Sequence, residues 1–406
     1  MNKKYSVIII GGGFSALVLA CRLDARVKKR AAIIEKNARV GKKLLATGNG
    51  RGNFTNEYLD LSAYHGGDVS FAEYALKKYD NQVIEGFFAK IGVLSTSENG
   101  KVYPLSLQSN SLLDALRLSL GDVALFTETE VVGLKKENGV FVAETNKGEF
   151  FADAVAMCVG GAVGKQFGTD GSAFKLVEGF GHRISKLSPS LVQMRTDKAS
   201  VKGLKGVKEY ASVKLFDGDR FVKESRGDLL FTDGGVSGNT VFYLSSYLDG
   251  LRSARLVADL APDRTVEELV ESFEARRIAF PKADADILTS GAVHSAVSQK
   301  IARTLFAGKK LCELNGSDLI AAACAIKKYR IDITGAGGFD GAQVTRGGVI
   351  TKDVDGRTFE SKLCPSLYLC GEMLDVDGDC GGYNLQWAFS SACCAAEAIN
   401  EANRDD

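Results

Sequence analysis

A glycine-rich turn near the start of the sequence has the composition of a phosphate-binding site. Gly11, Gly13 and Ala16 satisfy the spacing G-x-G-x-x-G/A, directly after an apolar, β-branched run and directly before a segment of helical composition. The first glycine of such a turn permits a tight bend, the second lets the backbone approach a pyrophosphate, and the small third residue lets helix and strand pack together. We therefore predict a dinucleotide-binding βαβ unit. The alternative is an ordinary glycine-rich connection between a strand and a helix.

A carboxylate supports this interpretation. Glu35 ends the next predicted strand and lies 22 residues after Gly13. At that position an acidic side chain suits the ribose hydroxyls of an adenosine.

Residues 41–56 form a second candidate segment, which combines glycines, cations and small amides. Its backbone N–H groups and the Arg51 guanidinium suit a phosphate or the polar edge of a flavin ring. The alternative is a solvated loop rich in glycine and asparagine.

A third segment lies near the C-terminus. A predicted strand ends at Gly371–Glu372, an acidic loop follows, and Gly381–Gly382 opens an alanine-rich helix whose N-terminus suits a polar ring edge. The aspartates at 375, 377 and 379 raise the alternative of a calcium loop, but the glycine and distal glutamate of an EF-hand do not follow them. We predict no metal site.

These three segments resemble the BaiN/RdsA-like (HI0933-like, YhiN-type) FAD-dependent NAD(P)H oxidoreductases, most specifically in the block Gly-Gly-Tyr-Asn-Leu-Gln at 381–386. The resemblance extends through nearly the whole chain. It implies an α/β fold in which a Rossmann-like FAD-binding domain of the glutathione-reductase type is interrupted by an inserted β-rich domain with a helical subdomain. It also implies FAD as cofactor and NADH or NADPH as electron donor.

The resemblance and the composition of the segments together give a set of predicted cofactor-binding residues. They are Gly11, Gly13, Phe14, Ser15, Ala16, Glu35, Lys36, Lys42, Lys43, Thr47, Gly48, Asn49, Gly50, Arg51, Gly52, Asn53, Val131, Gly160, Gly161, Gly371, Glu372, Asp375, Gly381, Gly382, Tyr383, Asn384 and Leu385. Catalytic residues beyond the flavin are not identified. The only histidines, at 65, 182 and 294, are interpreted as surface or satisfied polar residues.

Gly52 is the main departure from the family pattern, because relatives usually carry a cysteine at this position. If that cysteine has a redox or substrate role in relatives, this chain lacks it.

The elements that position these residues divide the chain into three predicted parts. Residues 1–190 and 340–406 form the FAD-binding domain, residues 191–258 the inserted β-rich domain, and residues 259–339 the inserted helical subdomain. Alternating apolar patterns indicate strands in the first insert, and a capping box at Thr265–Glu268 begins the helical pattern.

Composition limits the partners. Lys plus Arg is 51 and Asp plus Glu is 50, so the net charge of +1 gives no global reason to bind nucleic acid or an acidic membrane. No stretch is apolar enough for a membrane span. Nine scattered cysteines without metal-ligand spacing indicate reduced thiols and a cytoplasmic protein.

Two functions from different classes remain open. The first is an enzyme that passes hydride from NAD(P)H through flavin N5 to an unsaturated substrate. The family implies either a steroid-like small molecule or uridine in ribosomal RNA as that substrate. The second is a flavin-binding sensor or scaffold without turnover, whose insert binds a partner. The oligomeric state is left open.

Overall fold

A computed structural model describes residues 4–404. Its strands, in chain order, are β1 (Lys4–Ile10), β2 (Ala31–Ile34), β3 (Thr55–Asn56), β4 (Tyr64–His65), β5 (Ser95–Glu98), β6 (Lys101–Pro104), β7 (Ala124–Phe126), β8 (Val131–Glu137), β9 (Val140–Thr145), β10 (Gly148–Met157), β11 (Ser188–Ser190), β12 (Met194–Thr196), β13 (Lys208–Asp217), β14 (Arg220–Thr232), β15 (Gly235–Ser237), β16 (Ala254–Asp259), β17 (Tyr329–Ala336), β18 (Val344–Arg346), β19 (Leu367–Leu369) and β20 (Asp377–Gly378).

The α-helices are α1 (Phe14–Arg22), α2 (Ala25–Lys28), α3 (Lys42–Ala46), α4 (Glu73–Lys78), α5 (Asn81–Lys90), α6 (Ser109–Leu118), α7 (Phe174–Glu178), α8 (Lys198–Val201), α9 (Asn239–Ser245), α10 (Val266–Ala279), α11 (Ser295–Leu305), α12 (Gly316–Lys327) and α13 (Tyr383–Ala402).

The described residues form two compact units. Unit 1 takes the chain up to Pro189 and again from Gln343 onward, and unit 2 takes Ser190–Ala342. Each unit has its own hydrophobic core.

Unit 1 is built on a seven-stranded sheet in the order β7-β2-β1-β10-β9-β8, with β19 beside β10. The pairs that β1 makes with β2 and β10 are parallel, as are β2–β7 and β10–β19. Strand β1 is apolar almost throughout because it is buried on both faces, as a central parallel strand requires. The carboxyl ends of β1, β2, β10 and β19 therefore lie at one edge of the sheet, where ligands bind in open α/β folds.

Unit 2 contains a closed six-stranded barrel in the order β12-β15-β14-β13-β16-β17. Apolar residues alternate along β13, which has Val213 and Leu215 fully buried, as a barrel wall requires. One expectation is corrected here. The predicted helical subdomain, 259–339, contains β17, which pairs with β12 and β16 and closes the barrel.

The α/β class with an inserted β-rich part is confirmed, since the sheet of unit 1 is interrupted in sequence by the barrel. Among residues 4–404, no helix has both the length and the apolarity that a membrane span needs. The cysteines, all within that range, are free.

Candidate functional site: the carboxyl edge of the unit 1 sheet

The glycine turn after β1 is closed on one side and open on the other. A Cβ atom added to Gly11 would lie 2.5 Å from the Cys158 carbonyl oxygen, and one added to Gly12 would lie 2.6 Å from Val40 Cγ1. A Cβ atom at Gly13 would meet only the Cys158 carbonyl oxygen, at 3.9 Å. Gly13 is also the N-cap of α1 and supplies no side-chain cap, so the first-turn N–H groups of the helix stay available to an anion.

Glu35 reaches back from the end of β2 to this turn. Its Oε2 accepts a hydrogen bond from the Gly12 N–H at 2.7 Å, and its Oε1 accepts from the backbone N–H and the Nδ2 of Asn37 at 2.7 and 2.6 Å. The carboxylate is buried. The structure thus brings together the predicted pyrophosphate turn and the predicted ribose carboxylate, and this geometry fits the adenosine diphosphate half of FAD.

Several other predicted residues surround this end of the site. Lys42 Nζ donates to Asn37 Oδ1 at 3.0 Å, whereas Lys36 Nζ lies 3.4 Å from Asp170. Val131 begins β8, and the Thr129 N–H just before it donates to the Glu35 carbonyl oxygen at 3.0 Å.

Lys43 and Glu372 form an ion pair that joins α3 to the segment after β19. Lys43 Nζ lies 2.6 and 2.9 Å from the two carboxylate oxygens and donates also to the Val163 carbonyl oxygen at 3.1 Å. Glu372 Oε1 accepts from the Thr345 N–H at 3.0 Å.

The predicted glycines at 160 and 161 lie against the same ion pair. A Cβ atom on Gly161 would fall 2.3 Å from Thr345 Oγ1 and 3.1 Å from Glu372 Oε1, so this position has no room for a side chain. Gly371, one residue before Glu372, faces Ser15 of α1, whose Oγ is 3.2 Å from the position of its absent Cβ. The glycine turn and the Lys43–Glu372 pair are therefore neighbours through α1.

The loop at 47–53 turns through left-handed backbone. Gly48, Asn49, Gly50 and Gly52 have φ values of 57°, 56°, 83° and 74°. Thr47 Oγ1 donates to the Leu44 carbonyl oxygen at 2.6 Å and thereby closes the end of α3. Asn53 is buried and ties the loop to its neighbours by donating to the Thr55 and Val102 carbonyl oxygens at 3.0 and 2.9 Å.

Arg51 does not extend toward the glycine turn. Its guanidinium pairs with Glu98 and lies over the Tyr103 ring, 4.2 Å from the ring centroid. The hydrogen bond that the guanidinium donates to the Glu98 carboxylate raises the pKa of Arg51 above its ordinary value. Arg51 is thus held on the surface of the β5–β6 hairpin.

Gly52 is packed where relatives are expected to carry a cysteine. A Cβ atom there would lie 2.8 Å from Ser109 Cα and 3.0 Å from Leu112 Cδ1. Helix α6 approaches the loop so closely that the conformation seen here has no room for a side chain.

The glycine pair before α13 is held by β3. A Cβ atom on Gly382, the N-cap of α13, would lie 2.2 Å from the Thr55 carbonyl oxygen, and Asn56 Nδ2 donates to the Gly381 carbonyl oxygen at 2.9 Å. Helix α13 is 20 residues long, and its N-cap supplies no side-chain hydrogen bond.

The other predicted residues of this segment have structural contacts. Asn384 bonds the Gly378 backbone through both ends of its amide, at 2.8 and 2.7 Å, and Tyr383 donates to the Tyr58 carbonyl oxygen at 3.0 Å. Leu385 packs on the hydrophobic core. Phe14 of α1 likewise points into the core, where it stacks on Phe88, and Ala16 is fully buried.

The aspartates of the acidic loop make contacts with different partners and do not form one cluster. Arg346 holds Asp377 through two hydrogen bonds of 3.1 and 3.0 Å, and His65 Nε2 lies 2.8 Å from Asp379. Asp375 is buried, and its carbonyl oxygen contacts Gly66. Within residues 4–404 no cluster of three or more metal-ligating side chains occurs.

Sequence reasoning missed the contacts that join distant segments. Thr345, Arg346 and Asn37 are central to the site, yet each is an isolated polar residue without a motif. Gln386, which is fully buried, accepts from Thr55 Oγ1 at 2.5 Å and donates to the Tyr79 carbonyl oxygen at 2.7 Å. Only the burial of a polar residue in an apolar helix signals such a contact.

Comparisons with known proteins identify the family of the chain. The family model for the HI0933-like protein Rossmann domain matches residues 5–398. A 3-dehydro-bile acid delta(4,6)-reductase of Clostridium scindens is 35% identical, over 97% of this chain and 98% of its own length. A ribosomal RNA dihydrouridine synthase of Escherichia coli is 28% identical, over 98% of both chains.

Among solved structures, FrdA of E. coli quinol fumarate reductase superposes with a TM-score of 0.50 at 14% identity, over 99% of this chain and 71% of that chain. This likeness concerns the fold alone. The family model and the bacterial reductase, which both match nearly the full length, establish that the chain belongs to the HI0933-like protein family.

Proposed function

We propose that this FAD-dependent oxidoreductase reduces a carbon–carbon double bond in a small, steroid-like ring compound, with NADH or NADPH as the electron donor. The observation that carries the proposal is the hydrogen bond of 2.7 Å between Glu35 and the Gly12 N–H. It joins a buried carboxylate to a glycine turn at the carboxyl edge of a parallel sheet, an arrangement that supports ribose binding by the carboxylate and pyrophosphate binding by the turn.

Each part of the site has a task in this proposal. The first turn of α1 binds the pyrophosphate, and Glu35 accepts the ribose hydroxyls. The N-terminus of α13, which carries the positive end of the helix dipole, orients the polar edge of the flavin ring. The Lys43–Glu372 pair fixes the connection between these two ends. When bound, FAD supplies the electron chemistry, in which hydride from the nicotinamide passes through N5 to the unsaturated substrate.

The charge distribution of unit 2 favours a small molecule over ribosomal RNA. At least twelve of its lysines and arginines already form ion pairs with carboxylates of the same unit, for example Lys208 with Asp228 and Lys327 with Asp259. Binding to RNA needs cations that neutralise phosphates, and paired cations contribute less to it. The higher identity to the bile-acid reductase, 35% against 28%, points in the same direction.

Uridine in ribosomal RNA is the second candidate. It is supported by the relatives from E. coli and Haemophilus influenzae, which are ribosomal RNA dihydrouridine synthases and match over 98% of this chain.

An anaerobic absorbance titration tests the proposal. FAD-loaded protein is titrated with NADH and then with NADPH, and bleaching of the flavin band identifies the donor. The reduced protein is then mixed with a 3-oxo steroid that contains a C4–C5 double bond, or with ribosomal RNA lacking dihydrouridine. We expect the steroid to reoxidise the flavin.

The outcomes separate the candidates. Reoxidation by RNA alone, with dihydrouridine formed, would favour the second substrate. If neither donor bleaches the flavin, the proposal of an NAD(P)H-linked reductase fails and a flavin-binding sensor becomes the better explanation. A colourless protein that takes up no FAD would remove the basis of both.

A further inference from the structure

Asn37 donates two hydrogen bonds to Glu35, although Asn37 belongs to none of the motifs by which the chain resembles its family. Its backbone N–H and its Nδ2 both donate to Glu35 Oε1, at 2.7 and 2.6 Å. The other oxygen, Oε2, accepts the Gly12 N–H. We propose that Asn37 is the positioning residue that holds Glu35 ready for the adenosine ribose, an inference that rests on the proposed use of FAD.

Asn37 is itself held by three other segments, two of which contact its side-chain amide and one its backbone oxygen. Its Oδ1 accepts from Lys42 Nζ at 3.0 Å, and its Nδ2 donates also to the Phe167 carbonyl oxygen at 3.0 Å. The backbone oxygen of Asn37 accepts from the Glu128 N–H at 3.0 Å. A cation on one side and two acceptors on the other leave one orientation for the amide, because a flipped amide would place donor against donor.

The turn at 165–168 closes on the same side chain. A Cβ atom at Gly168 would lie 2.5 Å from Asn37 Nδ2, so the turn approaches Asn37 as closely as a residue without a side chain allows. Asn37 therefore joins the end of β2 to α3 and to the loop that follows β10, three segments that border the adenosine end of the site.

These hydrogen bonds leave the Glu35 carboxylate with one free acceptor position. A carboxylate oxygen has two good acceptor positions, and Asn37 occupies both of those on Oε1. Oε2 uses one for Gly12 and keeps one, so a ribose hydroxyl finds its acceptor on Oε2. Because the donor groups of Asn37 are all bonded to Glu35 and Phe167, Asn37 acts on the nucleotide only through Glu35.

Three nucleotides test this assignment on the full-length chain freed of flavin. The dissociation constants of FAD, ADP and FMN are measured for the wild type and for Asn37→Ala. We expect the variant to bind FAD and ADP about tenfold more weakly, and FMN unchanged within about twofold, because FMN lacks the adenosine. Asn37→Asp should weaken the binding of FAD and ADP further, since its carboxylate would face that of Glu35. Asn110→Ala is the matched control, because Asn110 on α6 bonds only to Asp114 nearby.

A double-mutant cycle separates positioning from general damage. In a Glu35→Gln background, Asn37→Ala should weaken FAD by less than about twofold, because the group it positions has been altered. An equal loss in both backgrounds, or an equal loss for FAD and FMN, would overturn the role of Asn37. If the wild type binds neither FAD nor ADP, the proposed cofactor itself is wrong, which is a different result from a variant that behaves like the wild type.

Discussion

Glycines at the carboxyl edge of the unit 1 sheet and glycines at hairpin turns of unit 2 have different surroundings. At the nucleotide edge of unit 1, the space of a missing side chain is filled by backbone from far along the chain, as at Gly382, where a Cβ atom would lie 2.2 Å from the Thr55 carbonyl oxygen. At turns of unit 2 such as Gly218 and Gly250, nothing lies within 4 Å of the same position. At these turns of unit 2 glycine thus serves the conformation of the turn, whereas at Gly382 of unit 1 it serves a junction between segments.

One ion pair from each unit shows a similar contrast. Lys43 and Glu372 are 329 residues apart, and their side chains are 27% and 20% exposed. Lys205 and Asp233 of unit 2 lie at neighbouring turns, and their side chains are 76% and 87% exposed. The Lys43–Glu372 pair holds distant segments together, and we expect the candidate site to be correspondingly sensitive to substitution.

The largest effect is expected for Gly382→Ala. The new methyl group would collide with the Thr55 backbone, and the φ of 100° disfavours any residue with a side chain. We expect the free energy of unfolding to fall by about 3 kcal/mol or more and FAD to be lost on purification. Urea denaturation and the flavin-to-protein absorbance ratio measure both. A variant that keeps FAD at wild-type stability would contradict the view that this glycine marks a junction.

Lys43→Met is expected to have the next largest effect. The substitution leaves the half-buried Glu372 carboxylate with one hydrogen bond among the described residues, which it accepts from the Thr345 N–H. The free energy of unfolding should fall by about 2 kcal/mol. Lys205→Met is the matched control, and it should change stability by less than about 0.5 kcal/mol because its pair is exposed. Equal effects in urea denaturation would remove the contrast between the units.

A pH-dependent loss of stability is expected from His182 of unit 1. Ser361 Oγ accepts the N–H groups of Leu363 and Cys364, so its hydroxyl donates to His182 Nε2, and Nδ1 has no partner among the described residues. Burial lowers the pKa of this imidazole, and the nearby Asp353 opposes that shift only in part. The unfolded chain therefore binds the proton more tightly.

Stability is then complete above the unfolded pKa of about 6.5 and is lost as the pH falls through that value to the folded pKa. The slope from one proton is at most about 1.4 kcal/mol per pH unit. His182→Gln should flatten the dependence of the unfolding free energy on pH between 7 and 5. An unchanged slope would exclude His182 as its source.

The smallest effect is expected for Gly218→Ala in the β13–β14 turn. Its φ is 61° and the surrounding space is open, so the cost is that of a left-handed alanine alone, about 1 kcal/mol or less. FAD binding should stay at the wild-type level. A loss of FAD in this variant would show that the barrel turns also support the cofactor site.

Sequence reasoning reached the fold class and the family because both depend on local patterns. The run of apolar residues in β1, the glycine spacing at 11–16 and the glycine pair at 381–382 are each contained in a few adjacent residues. The proposed roles of the cofactor-binding residues stay predictions. Of these residues, Gly11, Glu35, Gly160 and Gly371 follow β1, β2, β10 and β19, as expected for a site at the carboxyl ends of parallel strands.

Contacts between residues far apart in the sequence could not be predicted from local patterns. The Lys43–Glu372 pair depends on how α3 and β19 approach each other, which no spacing encodes. The glycine-rich surroundings of Arg51 predict a cofactor contact, which stays a prediction, whereas its contacts with Glu98 and the Tyr103 ring have no signal in the sequence. Strand β17 was assigned to the helical part because it directly follows α12, although its partners lie more than 70 residues earlier in β16 and β12.

The interruption of unit 1 by unit 2 sets an order in which the chain can fold during synthesis. Unit 2 is continuous in sequence, so its barrel can close as soon as β17 leaves the ribosome. Unit 1 cannot complete its core until α13 has been made, because Phe389 and Leu369 pack in the same cluster as Ile8. Strand β1 therefore meets its sheet neighbours β2 and β10 before unit 2 is made, but the core that covers these strands and the carboxyl edge of the sheet are completed last.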